Sequence, residues 1–141
     1  MKKGNKEKTV FILRGIPGDG KSSVAELLAK ISRSSIIHST DDYHKVNGKY
    51  KFNKERLWEF HSMNLKAFEK SCEKGIKIVI CDNTNIRKSY YSPYIRVAKK
   101  YKYWIFILTV GDFNVSECWK RNKHHAPRKV IQGMKNNFIL Y

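Results

Sequence analysis

Apolar residues along this chain fall into two kinds of run. Short unbroken runs stand at 9–13 (TVFIL), at Ile36-Ile37, at 76–81 (IKIVIC) and at 103–110 (YWIFILTV). Runs of this length, rich in β-branched and aromatic residues, predict buried strands. Between them the apolar spacing changes to every third or fourth position. Val24, Leu27, Leu28 and Ile31 mark a helix over 22–31, and Leu57, Phe60, Leu65 and Phe68 mark a longer one over 54–73. Gly75 stands where a glycine ends a helix. A third helix is predicted over 88–101, with Pro93 compatible only if it falls in the first turn. Residues 114–122 and 130–138 predict two closing helices on either side of Pro127, and the polar stretch DDYHKVNGKYKFN predicts a loop.

Strands that alternate with helices and lack polar alternation predict an α/β fold with a parallel sheet covered on both faces. Ligands of such sheets bind beyond the carboxyl ends of the strands. A length of 141 residues predicts a single domain over 1–141, with 1–8 as a basic tail.

Charge changes the picture. Twenty-nine Lys and Arg face twelve Asp and Glu, a net +17. Such an excess attracts polyanions. Between Glu73 and Asp112 Asp82 is the sole carboxylate, and none follows Glu117. Three well-separated cysteines form no C-x-x-C pair, so a zinc ribbon is not predicted and free thiols are. His124 and His125 are adjacent, a poor arrangement for chelating one ion, and read as structural or solvent-exposed. The apolar run behind MKKGNKEK is too short for a signal peptide, and no segment reaches membrane-span length. A soluble intracellular protein, cytoplasmic or nuclear and free of membranes, is expected.

The most specific motif is GIPGDGKS at 15–22, a full match to G-x-x-x-x-G-K-[ST] between a predicted strand and a predicted helix. Chance gives such a match in roughly one chain of this length in two hundred. The motif predicts a P-loop NTPase fold. Gly15, Pro17, Gly18, Asp19, Gly20, Lys21, Ser22 and Ser23 would then form the ATP phosphate site. Its backbone N–H groups turn inward on phosphate oxygens, with the helix N-terminus behind them. Lys21 would reach the β and γ phosphates and Ser22 would hold Mg²⁺. Asp19 is tolerable there if its side chain points outward. ATP, or another NTP, and Mg²⁺ are the expected cofactors. A GTPase would need N-K-x-D for the base, and the RNKH of this chain does not supply it.

STDDYH follows the second predicted strand. Two adjacent carboxylates in so basic a chain, at a strand end beside the phosphate loop, suit an acceptor hydroxyl. One of the pair can orient that hydroxyl and take its proton, the other being structural.

GIPGDGKSS followed by STDDYH resembles the kinase domain of bacteriophage polynucleotide kinase. The later segments resemble more closely the polynucleotide-kinase-like P-loop domains of ubiquitin-ligase-binding proteins. They are YKFN at 50–53, His61, DNTN at 82–85, Pro93-Tyr94 and RNKHHAP at 121–127. The resemblance runs over about 9–138 in matching order. It implies a 5′-OH polynucleotide kinase with a four-stranded parallel sheet flanked by helices and a C-terminal helical lid. It further implies Asp41 as the general base and Asp42 as its neighbour toward the substrate. Arg121 is implied as a lid arginine on the transferring phosphate, and Asp82 or Asn83 beside Mg²⁺. Asn83, Thr84 and Asn85 join His44 and His125, which stand where the phage kinase has anion-gripping arginines, as the substrate-facing set. Lysines 45, 49, 51 and 54 could take over that anion contact or form a solvated face.

The expected function is therefore ATP-dependent phosphorylation of 5′-OH ends of RNA or DNA, with ligase or phosphatase partners, if any, on other chains. A small-metabolite kinase is the first alternative, and a net +17 is more than a neutral acceptor requires. A nucleotide-binding interaction module without turnover is the second, against which stand Lys21, Ser22, Asp41 and Arg121 together.

Overall fold

A computed structural model describes residues 7–122 and 124–138 of the chain. Most of the basic tail expected at 1–8 thus lies outside the described residues. Strand β1 (Thr9–Arg14) leads into helix α1 (Lys21–Ala29), and β2 (Ser35–His38) follows. Next come a one-turn 3₁₀ segment (Thr40–Tyr43) and a small hairpin of β3 (Lys45–Val46) and β4 (Lys49–Tyr50). Helix α2 (Leu57–Glu73), β5 (Ile78–Asp82), α3 (Lys88–Lys100), β6 (Trp104–Thr109), α4 (Val115–Arg121) and α5 (Arg128–Asn136) complete the order. The main sheet is parallel with order β2-β5-β1-β6.

Alternation decides which residues meet which layer. Val10, Ile12, Val79 and Cys81 face α2 and α3, burying Phe68, Cys72, Tyr91, Tyr94 and Ala98. Leu13, Ile78 and Ile80 face the other way onto Ala25 of α1. A third cluster joins Ile16 of the phosphate loop to Val115, Cys118 and Ile131 of the C-terminal helices. The lid is thus attached through apolar packing to the loop it covers.

The α/β fold, the parallel four-stranded sheet and the five helices are as the apolar pattern predicts. Several details differ. The strand expected from residue 76 begins at Ile78, because the backbone N–H groups of Ile76 and Lys77 are bonded to the Ser71 carbonyl and Ser34 Oγ. The second helix begins at Leu57, since Asn53 Oδ1 accepts from the Arg56 N–H (3.1 Å) and holds the entry as a turn.

Pro93 lies in the second turn of α3, not the first. An interior proline costs about 3 kcal/mol. Burial of Tyr91, Tyr94, Val97 and Ala98 on the same helix offsets it, at roughly 1.5–3 kcal/mol for each large side chain. Finally, the sheet is not covered evenly. β5 is buried throughout, but β6 is an outer strand on which Trp104 is 65% and Phe106 50% exposed.

Candidate functional site

All the chemistry-bearing residues that the fold gathers stand at the carboxyl ends of β1, β5 and β2. After Arg14 the chain turns through Gly15–Gly20 and enters α1 directly at Lys21, with Gly20 as the left-handed N-cap (φ 91°). Gly18 is also left-handed (φ 83°), and a Cβ there would lie 2.1 Å from the Cys118 carbonyl oxygen. Glycine is required at 18 by backbone conformation and by the close approach of α4 together.

Lys21 is buried and its Nζ donates to the Ile16 carbonyl at 2.9 Å, so the ammonium is held inside the loop that would cradle phosphate. Burial lowers its pKa, and Asp82, Asp41 and Asp19 oppose that shift. Ser22, the next residue, donates from Oγ to Asp82 Oδ2 at 3.1 Å. Asp82 is the last residue of β5, paired in register with Leu13 just before the loop. Burial raises its pKa, against the pull of the Lys21 charge and the Ser22 hydroxyl.

Asp41 and Asp42 lie in the turn immediately beyond β2. Ser39 Oγ accepts from the Asp41 N–H at 3.3 Å, and the Thr40 N–H donates to Asn83 Oδ1 at 2.9 Å. The second contact fastens this turn to the end of β5. Asp41 and Asp42 line one cavity of about 260 Å³ with Ser22, Asp82, Lys45 and His124. The two neighbours nevertheless differ. Asp42 is exposed and pairs with Lys45 at 3.3 Å. Asp41 is half-buried, and its Oδ2 lies 3.4 Å from Nε2 of His124.

His124 comes from the lid, and its ring packs on Tyr50 of the hairpin at 3.9 Å between centroids. One lid side chain therefore touches both the carboxylate turn and the hairpin. The sequence reading placed His124 as structural or solvent-exposed. No local pattern marks it, because its partners are more than seventy residues earlier in the chain.

Other expected residues are dispersed. Asn83 braces Thr40, while the Thr84 carbonyl accepts from the Gly15 N–H at 3.0 Å. Asn85, left-handed at φ 46°, is buried with its side chain donating to the Leu13 carbonyl. His44 is 2% exposed, and its Nδ1 accepts from the Asn53 N–H at 2.9 Å. Arg121 is exposed at the end of α4, bonded through Nε to the Glu117 carbonyl, and His125 is exposed.

Asp19 departs from expectation. It does not point outward but is 5% exposed beneath the lid, where Oδ1 accepts from the Cys118 thiol at 3.4 Å. The tight space above it requires Gly111, whose Cβ would sit 1.9 Å from the carboxylate.

One buried charge carries no motif in the sequence. Arg14 donates to the carbonyls of Asn85 (2.7 Å) and Ile86 (3.2 Å), and its guanidinium lies between the rings of Tyr91 and Phe138 at 4.7 and 4.5 Å. It thereby ties the segment after Asp82 to the root of the phosphate loop.

Comparison with known proteins bears on the family and the fold. NEDD4-binding protein 2 of Homo sapiens is 35% identical over 132 residues, 92% of this chain and 8% of that protein. The 2′,3′-cyclic-nucleotide 3′-phosphodiesterase of Rattus norvegicus is 31% identical over 143 residues, 94% of this chain and 32% of the other. The chain thus spans less than a third of either curated relative. Among solved structures, the Pnkp1/Rnl/Hen1 RNA repair complex matches with a TM-score of 0.73 at 16% identity, over 96% of this chain and 45% of that one. A gluconokinase from Sinorhizobium meliloti matches with a TM-score of 0.63 at 16% identity, over 93% and 75%. At such identities these matches show the P-loop kinase-like fold. A family model described as an AAA domain matches residues 10–139, a span that runs from β1 through the carboxylate turn and across both lid helices. The chain belongs to the AAA domain family.

Proposed function

We propose that this protein is an ATP-dependent kinase that transfers the γ-phosphate to 5′-OH ends of RNA or DNA. The observation that carries the reading is the shared cavity in which the Asp41 carboxylate faces Ser22 and Asp82, beside the phosphate loop. A carboxylate there serves an acceptor hydroxyl better than it serves the donor. The charge of +17 favours a polyanionic acceptor, and the names of the RNA repair complex and the cyclic-nucleotide phosphodiesterase both concern nucleic-acid chemistry.

In this reading the backbone N–H groups of Gly18 and of Gly20 to Ser23 hold the donor phosphates. Lys21 exchanges its bond to the Ile16 carbonyl for a phosphate oxygen. Asp41 accepts the proton of the acceptor hydroxyl as that oxygen attacks the γ-phosphorus and the bond to the bridging oxygen of the leaving ADP breaks. Arg121 closes with the lid onto the equatorial oxygens of the transferring group, where charge develops. Asp42 lines the same cavity beside Asp41, and Asn83 holds the turn that carries both. The Ser22 hydroxyl and Asp82 carboxylate are hard oxygen donors of the kind Mg²⁺ takes from proteins, which suits a site completed by substrate phosphates. Bound there, the ion would neutralise charge on the β and γ phosphates.

The test is transfer of labelled γ-phosphate to 5′-OH oligonucleotides, with nucleosides and small sugars as competing acceptors. Labelled oligonucleotide resistant to competition is expected. Preferential labelling of a nucleoside or sugar would establish a metabolite kinase instead.

A further inference from the structure

A second cavity, of about 430 Å³, opens beside the carboxylate cavity, and Lys45 lines both. Its volume lies within the range of roughly 300–1,000 Å³ usual for ligand sites. Aromatic rings form its floor. His44 stacks on Phe52 with centroids 4.9 Å apart and planes at 28°, and Phe60 meets His44 edge-on at 4.7 Å. Burial keeps the His44 ring toward its neutral form, so the floor is apolar. Phe52 itself remains 55% exposed, so its ring is open to a ligand.

The rim is cationic. Lys45, Lys51, Lys54 and Arg56 line it, against one carboxylate, Glu55. Lys45 and Arg56 have exposed acidic partners in Asp42 and Glu59, pairs that bind weakly in water and are readily exchanged for another anion. An exposed ring over an apolar floor, ringed by flexible cations, has the two components that hold single-stranded nucleic acid: a face for a base and charges for its phosphates.

We infer that this groove seats the nucleotide immediately following the reacting 5′ end of a single-stranded polynucleotide, its base on Phe52 and its phosphates along Lys45, Lys51 and Lys54. The inference rests on the kinase reading for its direction, since the 5′ hydroxyl is taken to lie at Asp41. Lys45 is placed to hold the phosphate that joins the first nucleotide to the second. The buried His44 then serves as the underside of the base platform, which explains a ring at that position in place of a phosphate-gripping side chain. A sugar or free nucleoside would leave the groove empty.

The experiment compares 5′-OH tetranucleotides that carry either a normal base or an abasic residue at the second position. Acceptor KM is measured by phosphate transfer, and Kd by fluorescence anisotropy of 3′-labelled strands. With the unaltered protein, the abasic strand should show a KM and a Kd about tenfold higher. Phe52→Ala should raise both for the normal strand by a similar factor and add little for the abasic strand, while Phe52→Tyr restores them. Lys51→Ala combined with Lys54→Ala should make the log–log salt slope shallower by about 1.4. Turnover with no contrast between the two strands overturns the groove and leaves the kinase standing. A binding contrast without turnover supports the groove and removes the kinase. Equal losses on both strands in Phe52→Ala would mean that Phe52 only supports the hairpin, and would also overturn the inference.

Discussion

Two adjacent aspartates illustrate how little sequence distance means at a strand end. Asp41 is half-buried against a lid histidine, whereas Asp42 is exposed and paired with Lys45. Asp41→Asn keeps the shape and removes the proton acceptor, so kcat should fall by roughly 10²–10⁴ while ATP affinity holds. Asp42→Asn should change kcat only modestly. Steady-state kinetics with melting controls decides, and the opposite order would shift the general base by one residue. Arg121 is exposed and bonded to its own helix, so under the proposed kinase function its action requires the lid to close on developing charge. Arg121→Ala should therefore lower kcat well before it raises the KM for ATP, and a change confined to KM would make it a ground-state clamp. At this scale the position of the phosphate loop is legible because its motif is contained in eight consecutive residues. The position of Asp41 is legible because strand ends have a known address in parallel sheets. His124 and Arg14 are not, since each acquires its role from partners across the fold.

Elements were legible where burial alone sets the pattern, and obscure where local turn chemistry does. Lys45–Tyr50, within the stretch whose polar character predicts a loop, forms a hairpin. Asn47 (φ 53°) and Gly48 (φ 77°) supply the two left-handed positions of its turn, so the Asn-Gly pair was the available signal. Pro93 was misplaced for the converse reason: packing of α3 outweighs what one proline removes. The contact of α4 with the phosphate loop is tested by a pair of glycines. At Gly20 an added Cβ meets nothing within 4 Å, so alanine there carries only the cost of a left-handed residue, about 1–2 kcal/mol. At Gly18 the same substitution also drives into the Cys118 carbonyl. Gly18→Ala should lower Tm by several degrees more than Gly20→Ala in thermal melts, and an equal loss would mean that the lid rests on the loop only loosely.

At the level of the whole molecule, three histidines link stability to pH. Burial is the main cause holding the pKa values of His38, His44 and His61 below the usual value of about 6.5. The unfolded chain therefore takes up protons first as pH falls. Their contribution is fully present above about pH 6.5 and declines below it, at no more than about 1.4 kcal/mol per pH unit for each histidine. Denaturant melts from pH 8 to 5 should show the decline starting near 6.5, and a flat profile over that range would refute it. Asp82, with its raised pKa, acts in the opposite sense. The outer strand β6 has a consequence of a different kind. Its exposed Trp104, Phe106 and Ile107 lie along a strand flanked on one side only, the arrangement that templates pairing between molecules. Heat inactivation should accordingly accelerate with protein concentration, as turbidity that scales with encounters rather than with unfolding alone. Phe106→Lys should delay that turbidity by placing a charge on the bare edge, even where it does nothing to raise Tm. The shelf life of this protein in a tube would then be set by the bare edge of one strand.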